Sequence, residues 1–161
     1  GSTFVVEIPF EIAPPPEKFP VKEAAPSGDI HGLKLLLAED NELNADIAET
    51  LLTDAGAHVT IVKNGKKAVD CFEAAPPGTF DAILMDVMMP VMDGLAATRA
   101  IRAIPRADAR QIPILAMTAN AFEEDARQCL AAGMNVHLAK PLQMDKVLAA
   151  LMECCGKKKD L

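Results

Sequence analysis

A carboxylate placed at the end of an apolar run is the first feature of this sequence that could do chemistry. In Phe80-Asp81-Ala82-Ile83-Leu84-Met85-Asp86-Val87-Met88-Met89-Pro90-Val91-Met92-Asp93-Gly94, the residues from Ala82 to Met85 read as a strand buried on both faces. The run ends on Asp86, and a proline and a glycine then force a loop. In an open parallel sheet, ligands bind beyond the carboxyl ends of the strands. Asp86 by itself reads equally as a reactive group at that lip or as an acid capping a turn.

Three other apolar runs also end on polar residues. Leu33-Lys34-Leu35-Leu36-Leu37-Ala38 is followed by Glu39 and Asp40, Ile112-Pro113-Ile114-Leu115-Ala116-Met117 by Thr118, and Val136-His137-Leu138-Ala139 by Lys140. If these strands are parallel, three acids, one hydroxyl and one lysine meet along a single edge. Two carboxylates ~4 Å apart repel by about 4 kcal/mol at an effective dielectric of ~20. Such a group needs a compensating cation, or one acid must keep its proton. Hard oxygen ligands with open water positions suit Mg²⁺. A hydroxyl and an ammonium beside a metal-flanked carboxylate suit phosphoryl transfer, with the carboxylate as nucleophile.

Positioning these groups requires five strand–helix units. Asn41 is placed to cap a first helix, along which Leu43, Ile47, Leu51 and Leu52 form a stripe, with Gly56 past its end. His58–Val62 reads as the second strand. Asn64-Gly65 turns into a helix carrying Ala68, Val69 and Phe72, stopped by Pro76-Pro77-Gly78. Helices of about Gly94–Ala103, Ala121–Ala132 and Gln143–Cys155 complete the alternation. Strands alternating with helices imply a parallel sheet covered on both faces with right-handed crossovers.

Residues 1–30 have a different character. They hold six of the twelve prolines, and Pro14-Pro15-Pro16 reads as a semi-rigid linker after one short strand, Phe4–Ile8. The organisation expected is therefore 1–30 extended, 31–156 one α/β domain, and 157–161 a charged tail. Half the residues are hydrophobic, enough for a core. The net charge of −7 and pI near 4.9 argue against a nucleic-acid face. No apolar run reaches the ~20 residues of a membrane span, so this segment is expected to touch no membrane. Cys71, Cys129, Cys154 and Cys155 lack metal-ligand spacing and read as reduced, packed thiols in a cytoplasmic protein. Met85 is read as core, and Met88, Met89 and Met92 as loop packing.

Four segments in order, Leu37-Ala38-Glu39-Asp40-Asn41, Leu84–Gly94, Met117-Thr118-Ala119-Asn120 and Leu138-Ala139-Lys140-Pro141, resemble the receiver domain of two-component response regulators over about Leu33–Met152. The resemblance implies a flavodoxin-like, doubly wound sheet of order 2-1-3-4-5. It implies that Asp86 accepts a phosphoryl group from a phosphohistidine, with Thr118 and Lys140 contacting that group. It also implies Mg²⁺ held by Asp40, Asp86 and the Met88 carbonyl, with Glu39 acting through a bound water. His137 stands where the family places a switch aromatic, so Thr118 and His137 would move together and alter the surface of the fourth helix, fifth strand and fifth helix. The Lys140-Pro141 peptide would be cis. Met88 occupies a position that modulates hydrolysis in the family, and an apolar side chain there implies slow loss of the phosphoryl group. Such a domain is a phosphoacceptor with self-phosphorylating and dephosphorylating activity.

Gly1-Ser2-Thr3-Phe4-Val5-Val6-Glu7-Ile8-Pro9 resembles the closing strand of a histidine-kinase ATPase domain, although Gly1-Ser2 also reads as the remnant of an added tag. Together these points imply the C-terminal receiver of a hybrid sensor kinase. Its partners would be a kinase dimerisation/phosphotransfer domain and a histidine-phosphotransfer protein. A stand-alone single-domain regulator is the alternative. A haloacid-type Mg²⁺ phosphatase would need a second Asp where Met88 stands, and a flavodoxin would need a Gly- and hydroxyl-rich loop where Glu39-Asp40 stand.

Overall fold

In the computed structural model, residues 30–120 and 122–156 are described. The proposed strand at Phe4–Ile8, the proline-rich linker and the 157–161 tail lie outside them. Five parallel strands, β1 (Lys34–Ala38), β2 (His58–Val62), β3 (Ala82–Asp86), β4 (Ile114–Thr118) and β5 (Val136–Ala139), form one sheet of order β2-β1-β3-β4-β5. The helices are α1 (Glu42–Asp54), α2 (Gly65–Ala74), α3 (Gly94–Ala103), α4 (Ala107–Gln111), α5 (Glu123–Ala132) and α6 (Met144–Gly156).

The sheet is buried on both faces because side chains alternate along each strand. Leu36, Ala38, Ile83, Met85, Ile114 and Ala116 pack with Phe72 of α2, Ile101 of α3 and Cys129 of α5. Leu35, Leu37, Leu84, Leu115 and Met117 pack with Leu52 of α1 and with Val147 and Leu151 of α6. Each of the Leu, Ile, Met, Val and Phe side chains among them contributes roughly 1.5–3 kcal/mol on burial. That is why β3 and β4, two of the three inner strands, have no exposed residue. Among the described residues, no helix is long and apolar enough to cross a membrane.

Three expectations need correction. The Leu43-Ile47-Leu51 part of the α1 stripe points to solvent, at 68%, 51% and 37% exposure, while the smaller Ala45 and Ala48 sit with Leu52 against the sheet. Periodicity cannot distinguish two apolar faces of one helix. Ile112-Pro113 precedes β4 rather than opening it. Finally, Ala107–Gln111 forms an unexpected short helix, held by side chains from elsewhere. Arg102 donates to the carbonyls of Ala109 and Gly133. Arg106 pairs with Asp108 and lies 4.8 Å from the centre of the Phe72 ring. The contacts to Gly133 and Phe72 join residues distant in sequence, so local pattern did not reveal the helix. The surface expected from the fourth helix, fifth strand and fifth helix is thus α5–β5–α6 here.

The loop after β3 is pinned by glycine. A Cβ on Gly94 would lie 2.2 Å from the Asp86 carbonyl oxygen, and one on Gly65 would lie 2.4 Å from that of Met92. The Gly94 and Gly65 amides donate to Val87 and Met92 at 2.9 and 3.0 Å. Asp93 then caps α3 by accepting from the Ala96 amide. Gly94→Ala is expected to lower unfolding stability by about 2–3 kcal/mol through backbone overpacking. A urea midpoint shift at constant slope would measure this.

Candidate functional site

The polar groups at the carboxyl edge are delivered by four of the five strands. Glu39 follows β1, is 3% exposed, and is fixed by its own amide donating to the Val62 carbonyl. Asp40, next in the chain, is exposed. Asp86 is the last residue of β3 and is also 3% exposed. One ligand oxygen from each of Glu39, Asp40 and Asp86 lies within 4.8 Å of the others. Lys140, beyond β5, is anchored by its amide donating to the Thr118 carbonyl, and the Lys140-Pro141 peptide is cis. Its Nζ reaches Glu39 Oε2 at 2.7 Å and Asp86 Oδ2 at 2.9 Å.

The second oxygens of the buried acids are held by backbone. Glu39 Oε1 accepts from the Asn41 amide and Asp86 Oδ1 from the Met88 amide, both at 3.2 Å. That places the Met88 main chain beside the pocket, while its side chain is 75% exposed rather than packed in the loop. Val91, in the same loop, has φ of 70°, a conformation that costs a β-branched residue energy.

Thr118, the last residue of β4, is buried. Its hydroxyl is turned toward Asn120 and His137, donating to the Asn120 carbonyl at 2.6 Å and lying 2.7 Å from His137 Nε2. The edge thus brings together the three acids and Lys140, with Thr118 and His137 as a neighbouring pair. Asn120, not singled out in the sequence, holds that hydroxyl through a backbone carbonyl, which no side-chain identity signals.

Three acids beside one ammonium leave an excess of negative charge, and its cost falls on Asp86. Burial pushes the Asp86 carboxyl up to about 6, Lys140 opposes this, and Glu39 adds to it. For Lys140, burial disfavours the charge, but the two carboxylates outweigh it and the net shift is upward. Hard oxygens around an under-neutralised pocket fit a small divalent cation such as Mg²⁺.

Residues 35–152 match the family described as the response regulator receiver domain. The chain belongs to this family. It is 41% identical over 111 residues to the hybrid signal transduction histidine kinase I of Dictyostelium discoideum, covering 68% of this chain and 6% of that protein. Across the first curated relatives the match takes up between 6% and 17% of their length, so this receiver corresponds to one small part of each. Among solved structures, the receiver domain of the sensor histidine kinase PA1611 of Pseudomonas aeruginosa is 43% identical. It has a TM-score of 0.70, covers 78% of this chain and 98% of its own, and has a magnesium ion coordinated in its active site cleft. The receiver domain of Ssk1 from Saccharomyces cerevisiae, solved with the histidine phosphotransfer protein Ypd1, is represented by a match of 26% identity and TM-score 0.70. That match covers 80% of this chain and 92% of the other.

The raised Asp86 carboxyl has a sign that can be checked. A carboxyl whose folded pKa of about 6 exceeds the usual 3.8 favours the fold below the lower value. That contribution is lost as pH rises through the higher one. Without divalent metal, Asp86→Asn is expected to raise stability by about 1–3 kcal/mol near pH 7.5 and to make little difference near pH 4. Urea unfolding in a chelator at both pH values would check this. A variant destabilised near pH 7.5 would mean that the Lys140 pairing outweighs burial.

Proposed function

We propose that this receiver is the phosphoacceptor of a hybrid sensor histidine kinase, taking a phosphoryl group from a phosphohistidine onto Asp86 and relaying it to a histidine-phosphotransfer partner. The observation that carries the reading is the convergence of Glu39, Asp40, Asp86 and Lys140 at one edge of the sheet. The phosphorus–nitrogen bond of the donor breaks as an Asp86 carboxylate oxygen bonds to phosphorus, and the electron pair returns to the imidazole. Asp86 must be ionised to attack, and Lys140 holds one of its oxygens in place.

Glu39, Asp40 and Asp86 would hold Mg²⁺, with the Met88 carbonyl as a further ligand and Glu39 acting through water. Bound there, the ion neutralises the acids and the phosphoryl oxygens. On phosphorylation Lys140 would pair with the new oxygens, and the Thr118 hydroxyl would donate a hydrogen bond to one of them. The α5–β5–α6 face would be the readout, with Thr118 and His137 as the coupled switch. This is cytoplasmic chemistry, although a longer parent chain could be membrane-anchored.

The α1 face supports a helical partner. Exposed Ile47 and Leu51 line a cavity of about 350 Å³ between α1 and α6, which reaches Leu142, Met144 and Lys140, and Leu43 is exposed on the same helix. An apolar surface bordering the acid pocket suits a helix bundle that presents its histidine to Asp86.

Incubation with Mg²⁺ and acetyl phosphate or a phosphorylated kinase is expected to give one phosphoryl adduct by intact mass. Asp86→Ala should abolish it; an adduct that persists in that variant would overturn the assignment. Because the exposed Met88 side chain cannot orient an attacking water, the adduct should outlast seconds at neutral pH. Met88→Asn should shorten its lifetime several-fold.

A further inference from the structure

Thr118 and His137 face the same side of the sheet. Ala116 pairs with His137 and Thr118 with Ala139, so the hydroxyl and the imidazole lie two positions apart on adjacent strands. The ring nitrogen Nε2 is 2.7 Å from Thr118 Oγ1 and 3.3 Å from the Asn120 carbonyl oxygen. The hydroxyl is itself 2.6 Å from that carbonyl. A carbonyl can only accept, and a hydroxyl has a single proton. All three contacts are satisfied together only when Nε2 carries hydrogen and donates while the hydroxyl donates to Asn120. If Nε2 were a bare lone pair, it would face the carbonyl without a proton between them.

From this we infer that His137 is a positioning residue that grips the Thr118 hydroxyl from behind. The hydroxyl's proton is then free to swing from Asn120 to a phosphoryl oxygen on Asp86, and a protonated ring favours the phosphorylated state. The inference rests on the phosphoacceptor reading. In the phosphorylated state Nε2–H donates to Oγ1 and Oγ1–H donates to the phosphoryl oxygen. No atom is transferred and no bond is broken. A second proton on Nδ1 leaves this chain intact and adds a positive charge one hydroxyl away from the phosphoryl group. Linkage then requires that phosphorylation raise the ring's proton affinity by the same factor.

The charged surroundings of the ring do not duplicate this effect. β4 offers only Ala116 and Thr118 beside it. Lys140, on its own strand's extension, is committed to Glu39 and Asp86. α5 brings Glu123, Glu124 and Asp125 in its first turn, with Asp125 one helical turn before the buried Cys129, and carries Arg127 exposed. Asp145 and Lys146 begin α6, which packs with Leu138 on the opposite side of the sheet. Among the described residues the ring's hydrogen-bond partners are Thr118 and Asn120. Asp86 must lose its proton to react and so opposes the proposed trend, which a non-titrating variant at position 137 cancels.

The test is a ring-proton NMR titration of His137, free and with Mg²⁺ plus beryllofluoride, together with beryllofluoride affinity across pH. The expected result is a His137 pKa raised by about one unit in the complex, and by less than half as much in Thr118→Val. Relative to His137→Gln, which keeps an N–H donor but cannot titrate, the wild-type affinity should gain up to about tenfold on going from alkaline to mildly acidic pH. Binding with an unmoved His137 titration, or with the same pH dependence in His137→Gln, would overturn the inference and leave the phosphoacceptor reading standing. No binding at all would overturn both.

Discussion

The Lys140 ammonium, bridging buried carboxylates from two other strands, is the interaction on which the site depends. Glu39 and Asp86 are each almost wholly withdrawn from water, and two such charges side by side would be strongly disfavoured alone. One cation at 2.7 and 2.9 Å compensates only part of this, which is why the Asp86 carboxyl is still pushed up. The pocket is therefore short of positive charge by construction. The shortage is what a divalent ion would correct, and that ion would then also balance the charge of a phosphoryl group.

The fold exists in this form to hold that imbalance steady. Strands β3 and β4 are encased on both faces, so Asp86 and Thr118 ride on the least deformable part of the sheet. Gly65 and Gly94 let the loop after β3 run against the main chain with no room for a Cβ. Asp86 is thereby presented on a rigid stub, with the Met88 amide fixed to one of its oxygens. In the proposed switch, movement would fall to the hydroxyl of Thr118 and the ring of His137. Both can change hydrogen-bond partners without moving a strand.

The partner surface follows from the same economy of packing. α1 packs on the sheet mainly through alanines and Leu52, which brings it close and leaves larger side chains on its outer face. Those side chains border the cavity between α1 and α6, and the cavity in turn reaches Lys140. A protein covering this face would be brought next to the acids, so the proposed docking and chemistry would share one edge.

Much of this was legible in the sequence. Apolar runs of strand length between helical stretches define a parallel α/β sheet, and in such a sheet every strand's last residue lies on one edge. That is why the placement of Glu39, Asp40, Asp86, Thr118 and Lys140 on one edge is legible in the sequence. The capping role of Asn41 was visible too, because it depends on a residue three positions away; Asn64, read only as part of a turn, proves to cap α2 in the same way. Other features required tertiary structure because their causes are remote in the chain. The helix Ala107–Gln111 is tied through Arg102 to Gly133 and through Arg106 to Ala75. The outward turn of Leu43 and Ile47 depends on what the sheet can accept beneath α1. The bond between Thr118 and His137 exists only because β4 and β5 pair in one particular register. Local order and the identity of the site come from short-range pattern, whereas which face is covered and which proton is shared are decided by contacts between strands far apart in sequence.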